Sequence, residues 1–334
     1  TFRTKEDFKN AMTLSPKNIL NFKALYKNQA SDCHPPIFYT LVHFSTLFLG
    51  GQFSKYSVFI VNIIAFVLSC IVIKKILQTL DKENLVIPGL ILYGLSMGTI
   101  SMVIFQRMYM VLTLFILLYF YLNLKIYKNK FKIDKNMAIK LGITTVCGFL
   151  VQYFFAIYAF FIFAIMIIEM IREKEHLNDI KKYIGIHIIC AISGVLLFVP
   201  CLKHLLFSDR GVSNLGASGY LSHILIYVKH LAYAFTVNSN IAVLTLVIFM
   251  VATIMLAIKS KNKFIVAITT IPSIFYFFIA VKMTSFQELR YVMPMIPFIT
   301  ITLLLILDKF VNFKYKNIII LIISILVVIN GFIC

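Results

Sequence analysis

Asp32-Cys33-His34-Pro35-Pro36 runs straight into the apolar stretch Ile37 to Gly50, and whether that stretch crosses a membrane decides the side on which every later loop lies. Two adjacent prolines fix φ at about −65° and lack N–H groups, which suits the first turn of a helix. Asp32 and His34 are then held just outside its N-terminus, where unpaired donors and positive dipole character favour an anionic group. The same two residues also fit a helix cap and a solvated loop histidine.

Composition makes this an integral membrane protein. Of 334 residues, 60% are hydrophobic and 13% charged, against roughly 45–50% apolar in ordinary soluble domains, and the mean hydropathy is +0.92. The net charge of +19 comes mostly from lysines in short gaps between apolar runs. That distribution follows the positive-inside rule and makes membrane lipid, and no nucleic acid, the expected partner. Cys33, Cys70, Cys147, Cys190, Cys201 and Cys334 show no paired spacing and read as small hydrophobes, without a zinc site or a disulfide framework. No metal is assigned either, since Asp32 has no second carboxylate beside it, and dependence on a divalent metal stays open.

A spanning helix needs about 20 mostly apolar residues. The runs 55–73, 84–104, 107–124, 137–152, 153–171, 183–202, 231–258, 264–282, 290–307 and 317–333 supply about ten. The gaps between them alternate in kind. Lys74-Lys75 with Lys82, Lys125 to Lys140, Arg172 to Lys182, Lys259 to Lys263 and Lys309 to Lys316 are lysine-rich and expected in the cytoplasm. Gln106-Arg107, Gln152-Tyr153, Lys203 to His230 and Met283 to Arg290 fall on the outer face. This alternation works only if residues 1–54 are also outside, so the stretch after Pro36 should not cross. Its 14 residues are short for a span, and Tyr39, His43 and Thr46 form a polar stripe opposite Ile37, Leu41, Phe44 and Phe48. The expected fold is therefore an all-α, multi-span bundle over 55–334, preceded by part of an outer loop over 1–54 that carries an interfacial helix.

Parity brings Asp32, His34, Arg107, Tyr109, Gln152, Tyr153, Glu288, Arg290 and Tyr291 to one membrane face, and ionisable groups at membrane depth tend to mark functional sites. Each also has a plainer reading. Arg107 and Arg290 fit arginines that snorkel to the interface, with a local Glu288–Arg290 pair, and Tyr109, Tyr153 and Tyr291 fit an aromatic belt. Lys203, His204, Asp209 and Arg210 carry no specific signal; Gly211, Gly216 and Gly219 allow that long loop to move.

Asp32-Cys33-His34-Pro35-Pro36-Ile37-Phe38-Tyr39 resembles the D-x-H-P-P-L-x-Y element of the GT-C fold glycosyltransferases related to protein O-mannosyltransferases and lipid A aminoarabinose transferases. Three more elements follow in order. Phe105-Gln106-Arg107-Met108-Tyr109 is similar to the family's R-x-Y at the outer start of a span. Gln152-Tyr153-Phe154 stands where many relatives read His-Tyr-Phe, and Arg290-Tyr291-Val292-Met293-Pro294-Met295-Ile296-Pro297 resembles R-Y-x-x-P-x-x-P.

This resemblance implies a GT-C-like enzyme of the cell membrane. Such an enzyme takes a sugar from a polyprenyl-phosphate carrier and gives it to a cell-surface acceptor, whether protein, polymer or lipid, in a site facing outside. Arg107 and Arg290 would hold the carrier phosphate, with hydroxyls from Tyr109 and Tyr291. Gln152 and Tyr153 would contact lipid phosphate, sugar or acceptor, and Asp32 and His34 would assist catalysis. In these relatives the main base is an Asp-Glu pair after a first span. Glu6-Asp7 reverses that order, so the base is expected upstream of Thr1. A transporter or lipid flippase would also gather polar residues among helices, but it should show internal repeats and mid-span charges, and the charges here sit at span ends. A catalytically inactive relative is the remaining alternative.

Overall fold

The structure, a computed structural model, describes residues 4–7, 13–14, 19, 21–52, 54–207, 217–235, 239–284, 287–311 and 313–333. Every regular element among them is helical. Two short helices, α1 (Phe22–Ser31) and α2 (Ile37–Phe48), precede the long α3 (Tyr56–Thr79). A bent pair follows, α4 (Val86–Gly94) and α5 (Met97–Ile104), and then α6 (Tyr109–Lys128), α7 (Lys135–Val151) and α8 (Phe155–Arg172). The remainder comprises α9 (Leu177–Leu197), α10 (Cys201–Leu206), α11 (Ala217–Tyr233), α12 (Ser239–Lys259), α13 (Lys263–Met283), α14 (Ile296–Phe310) and α15 (Phe313–Ile333).

Six segments are long and apolar enough to cross a membrane: α3, α6, α8, α9, α13 and Met293–Phe310. The bent pair makes a seventh if it counts as one span. The protein is thus an all-α, multi-span membrane protein whose outer helices contact lipid. The three other expected spans fall short of that length and hydropathy among the described residues. Residues 137–152 form α7, which has 17 residues, while Leu244–Lys259 and Ile318–Val327 are apolar but short among the described residues. The run 84–104 bends by 58°. Its cause is local: the Ser96 hydroxyl donates to the Tyr93 carbonyl (2.9 Å) and accepts from the Thr99 N–H (3.3 Å), closing one helix and capping the next.

At the centre stands α6, of whose most apolar window 78% is buried, against 17% for α9 at the periphery. It packs between α3, α7 and α8, and α13 lies against α8. The hairpin from α7 to α8 is tight because Gly148 has no side chain: a Cβ there would lie 2.5 Å from the Phe155 ring.

The two kinds of loop sort to opposite ends of the bundle. At one end, Lys82 pairs with Asp308 (2.6 Å), Lys128 with Asp81 (2.8 Å) and Lys132 with Asp179 (3.2 Å). Lys182 donates to the Ile133 carbonyl, Asn262 to the Tyr127 hydroxyl, and Lys259 lies over the Phe310 ring. All five lysine-rich connections are joined by these contacts. The connections at 105–109, 152–154 and 287–295 meet at the other end, where Tyr291 touches Tyr109 and Phe154, together with α1 and α2, as alternation along the chain requires.

α2 turns an apolar face outward: Leu41, Phe44 and Phe48 are exposed, Phe48 at 91%, while Phe38 and Ser45 are buried. This is the arrangement of a helix lying against lipid. On its polar side, His43 Nε2 donates to the Ile19 carbonyl (2.7 Å). Asp209, Arg210, Gly211, Gly216 and Cys334 lie outside the described residues, and Gly219 falls inside α11.

Candidate functional site

Asp32 ends α1, its N–H bonding back to the Asn28 and Gln29 carbonyls, and α2 starts at Pro36 without any side-chain cap. The N-cap position of the helix that follows is thus held by Pro36. The turn instead presents three adjacent polar side chains. Ligand atoms of Asp32, Cys33 and His34 lie within 4.8 Å of one another, and Cys33 Sγ is 3.8 Å from His34 Nε2. A set of oxygen, sulfur and nitrogen donors of this kind could hold a metal ion, zinc more readily than magnesium. The sequence reading looked only for a second carboxylate and so passed over it.

Tyr39, one turn into α2, ties this corner to Arg107. The two side chains are hydrogen-bonded. Burial raises the Tyr39 pKa, the Asp32 charge adds to that rise, and Arg107 opposes it. The His34 ring stacks on Tyr39, centroids 6.5 Å apart. Arg107 itself is exposed, and its backbone is held from behind. Asn62, buried in α3, donates to the carbonyls of Phe105 (2.9 Å) and Val103 (3.3 Å) at the end of α5, where helix carbonyls lack partners of their own.

Arg290 approaches from the turn between α13 and α14. Glu288 pairs with it at 2.6 Å, and its Nη2 donates to the Tyr291 hydroxyl at 3.3 Å. The planar guanidinium lies over the rings of Phe105 (5.4 Å) and Tyr291 (5.0 Å), which fixes its plane and leaves edge donors for an anion. Burial works against its charge, but the Tyr291 hydrogen bond, with Tyr109 and the Glu288 carboxylate nearby, more than offsets that and raises its pKa. Tyr109 joins the halves of the site. Its ring meets Tyr291 edge to face at 5.7 Å, and its hydroxyl is within electrostatic reach of both Arg107 and Arg290. Tyr109 is buried, so it supports the two arginines from beneath.

Tyr153 forms a third corner. Its hydroxyl bonds His204 Nδ1 (2.8 Å), and His204 Nε2 donates to the Ala30 carbonyl (3.2 Å), two residues before Asp32. Burial, with Cys201 and Cys33 nearby, raises the Tyr153 pKa. Gln152 is buried and its Oε1 accepts the Tyr153 N–H (2.8 Å). Its oxygen therefore serves the α7–α8 turn. The structure thus unites Asp32, His34, Arg107, Tyr109, Tyr153, Arg290 and Tyr291 at one end and gives Gln152 a local task.

Sequence reasoning missed three contributors. Asn62 could have been found as a lone amide inside an apolar run. His204 and Tyr227 had no such signal. The Tyr227 hydroxyl bonds Thr284 (3.0 Å) and reaches the backbone of Glu288 and the charge of Arg290. No family profile, curated protein or solved structure matches this chain. What the site does must be read from its residues.

Proposed function

We propose that this protein is a membrane glycosyltransferase that moves a sugar from a polyprenyl-phosphate carrier to an acceptor at the outer face of the cell membrane. The observation that carries this reading is the meeting of Arg107 and Arg290 around Tyr109 and Tyr291, beside Asp32 and His34, at the end opposite the lysines. The acceptor oxygen attacks the anomeric carbon, the bond from that carbon to the phosphate oxygen breaks, and the phosphate keeps the electron pair. Two guanidinium groups suit that leaving group, because they meet its growing charge in a site partly shielded from water. The acceptor proton goes to a carboxylate or imidazole, the roles open to Asp32 and His34. An outer-facing site follows from placing the lysine end in the cytoplasm.

The test is transfer from a radiolabelled polyprenyl-phosphate sugar by the protein in vesicles, with Arg107→Ala and Arg290→Ala. Each removes charge-assisted hydrogen bonds worth about 1.5–3 kcal/mol, so turnover should fall at least about tenfold. Undiminished turnover in both variants would end the reading.

A further inference from the structure

Among the described residues, the buried side-chain atoms without a hydrogen-bond partner are Gln29 Oε1, Ser45 Oγ, Ser57 Oγ, Asn62 Oδ1, His223 Nδ1 and His230 Nδ1. They lie on α1, α2, the first two turns of α3, and α11. None belongs to the lysine end. Unpaired buried polar atoms are costly, and native proteins keep few of them without water, an ion or a ligand to satisfy them or a role to account for them. Their collection at the end that holds Arg107 and Arg290 marks where the protein alone leaves polar groups unsatisfied.

α11 is the most telling element. Its exposed residues include Leu221, Ser222, Leu225 and Lys229, while His223 and Tyr227 are buried with Leu231 and Ala232, so two polar rings enter the protein among apolar neighbours. His223, Tyr227 and His230 recur at helical spacing on that inward face. The helix packs against α12, α13 and the turn Leu289–Tyr291, and Tyr227 on this face bonds Thr284 at the end of α13. Tyr227 in the middle reaches the Glu288 backbone and the Arg290 charge, and the His230 ring lies against Tyr227 at 6.4 Å. Two imidazoles thus flank the residue that touches the arginine turn, each with an unpaired nitrogen.

The spacing limits what they can bind. Seven residues of helix separate them by about 10 Å along the axis, too far for both to ligate one metal ion at roughly 2 Å. An imidazole nitrogen is a donor in one tautomer and an acceptor in the other, as a sugar hydroxyl is both. Partners spaced in this way suit a ligand that carries several hydroxyls across a comparable distance.

We propose that the inward face of α11, through His223 and His230, receives the hydroxyls of the carrier-linked sugar, while Arg107 and Arg290 hold its phosphate. This rests on the glycosyltransferase reading for the identity of the phosphate ligand. α11 is then the wall that distinguishes a loaded carrier from a bare one.

The test compares binding of polyprenyl-phosphate mannose, polyprenyl-phosphate glucose and bare polyprenyl phosphate to the protein in nanodiscs. The variants are His223→Leu, His230→Leu and His223→Gln, and thermal unfolding without ligand is followed in parallel. The wild type should prefer a glycosylated carrier by about tenfold, the effect of one or two hydrogen bonds. Each leucine variant should reduce that preference, leave bare-carrier binding unchanged and melt no lower than wild type, because it removes an unpaired polar atom. His223→Gln should restore part of the preference. Lower melting with equal loss for all three lipids would overturn the proposal and make the histidines packing residues. A wild type that binds bare carrier as well as the loaded forms would overturn it while leaving the phosphate reading intact. Failure to bind any of the three would bring down both.

Discussion

Asn62 donates a 2.9 Å hydrogen bond to the Phe105 carbonyl, and through that contact a helix without a site residue of its own sets the position of Arg107. The Phe105 ring, held by the same joint, lies under Arg290. One amide inside an apolar helix thus supports both cations.

Replacing it tests the joint. Asn62→Leu leaves two carbonyls at the end of α5 without their donor and should cost about 1–3 kcal/mol. Thermal unfolding in detergent should show the loss, and polyprenyl-phosphate binding should weaken with it. Unchanged melting and unchanged binding would show that the joint is unimportant.

Arg290→Lys keeps the charge but removes the planar fork and much of the stacking on Phe105 and Tyr291. Affinity for bare polyprenyl phosphate should fall between that of wild type and that of Arg290→Ala. Titration of the three proteins against the same lipid checks the order, and a lysine variant equal to wild type would show that charge alone suffices.

His204 and Tyr153 should act as a pair. Tyr153→Phe removes the bond to His204, and His204→Phe removes both that bond and the one to the Ala30 carbonyl, so a double-mutant cycle on turnover should give an interaction of about 0.5–3 kcal/mol. Strictly additive effects would separate the two residues functionally.

The sorting of the loops predicts accessibility. In a cysteine-free background, Ser31→Cys should react with an impermeant thiol reagent added outside the cell. Lys128→Cys should react only after permeabilisation. Labelling of both from the same side contradicts the two-ended arrangement.

Much of this order is legible in the sequence, for physical reasons. Lysine gaps alternate with polar, lysine-poor ones because each span reverses direction, and that alternation sufficed to group Asp32, Arg107, Tyr153 and Arg290. The bend at Ser96 was harder to see. Gly94-Leu95-Ser96-Met97-Gly98 interrupts an apolar run with small and capping residues, but its average hydropathy stays that of a span. The Glu288–Arg290 pair was readable because it is local. The His204–Tyr153 bond, between residues far apart in the chain, and the inward turn of the α11 histidines were not, since no local pattern records which face of a helix meets another element. Gln152 looked like a ligand-binding amide because its backbone role depends on the extended φ of −163° at the end of α7.

Leu41, Phe44 and Phe48 project from the same helix whose first turn carries Tyr39 and whose approach carries Asp32 and His34. Among the described residues that edge stays exposed, with Phe44 touched by the Phe22 ring, so lipid bounds this corner of the site. The bilayer is in that sense part of the scaffold. A detergent that packs poorly against α2 would disturb the Asp32–Tyr39 corner before it reached the arginine anchored through Asn62.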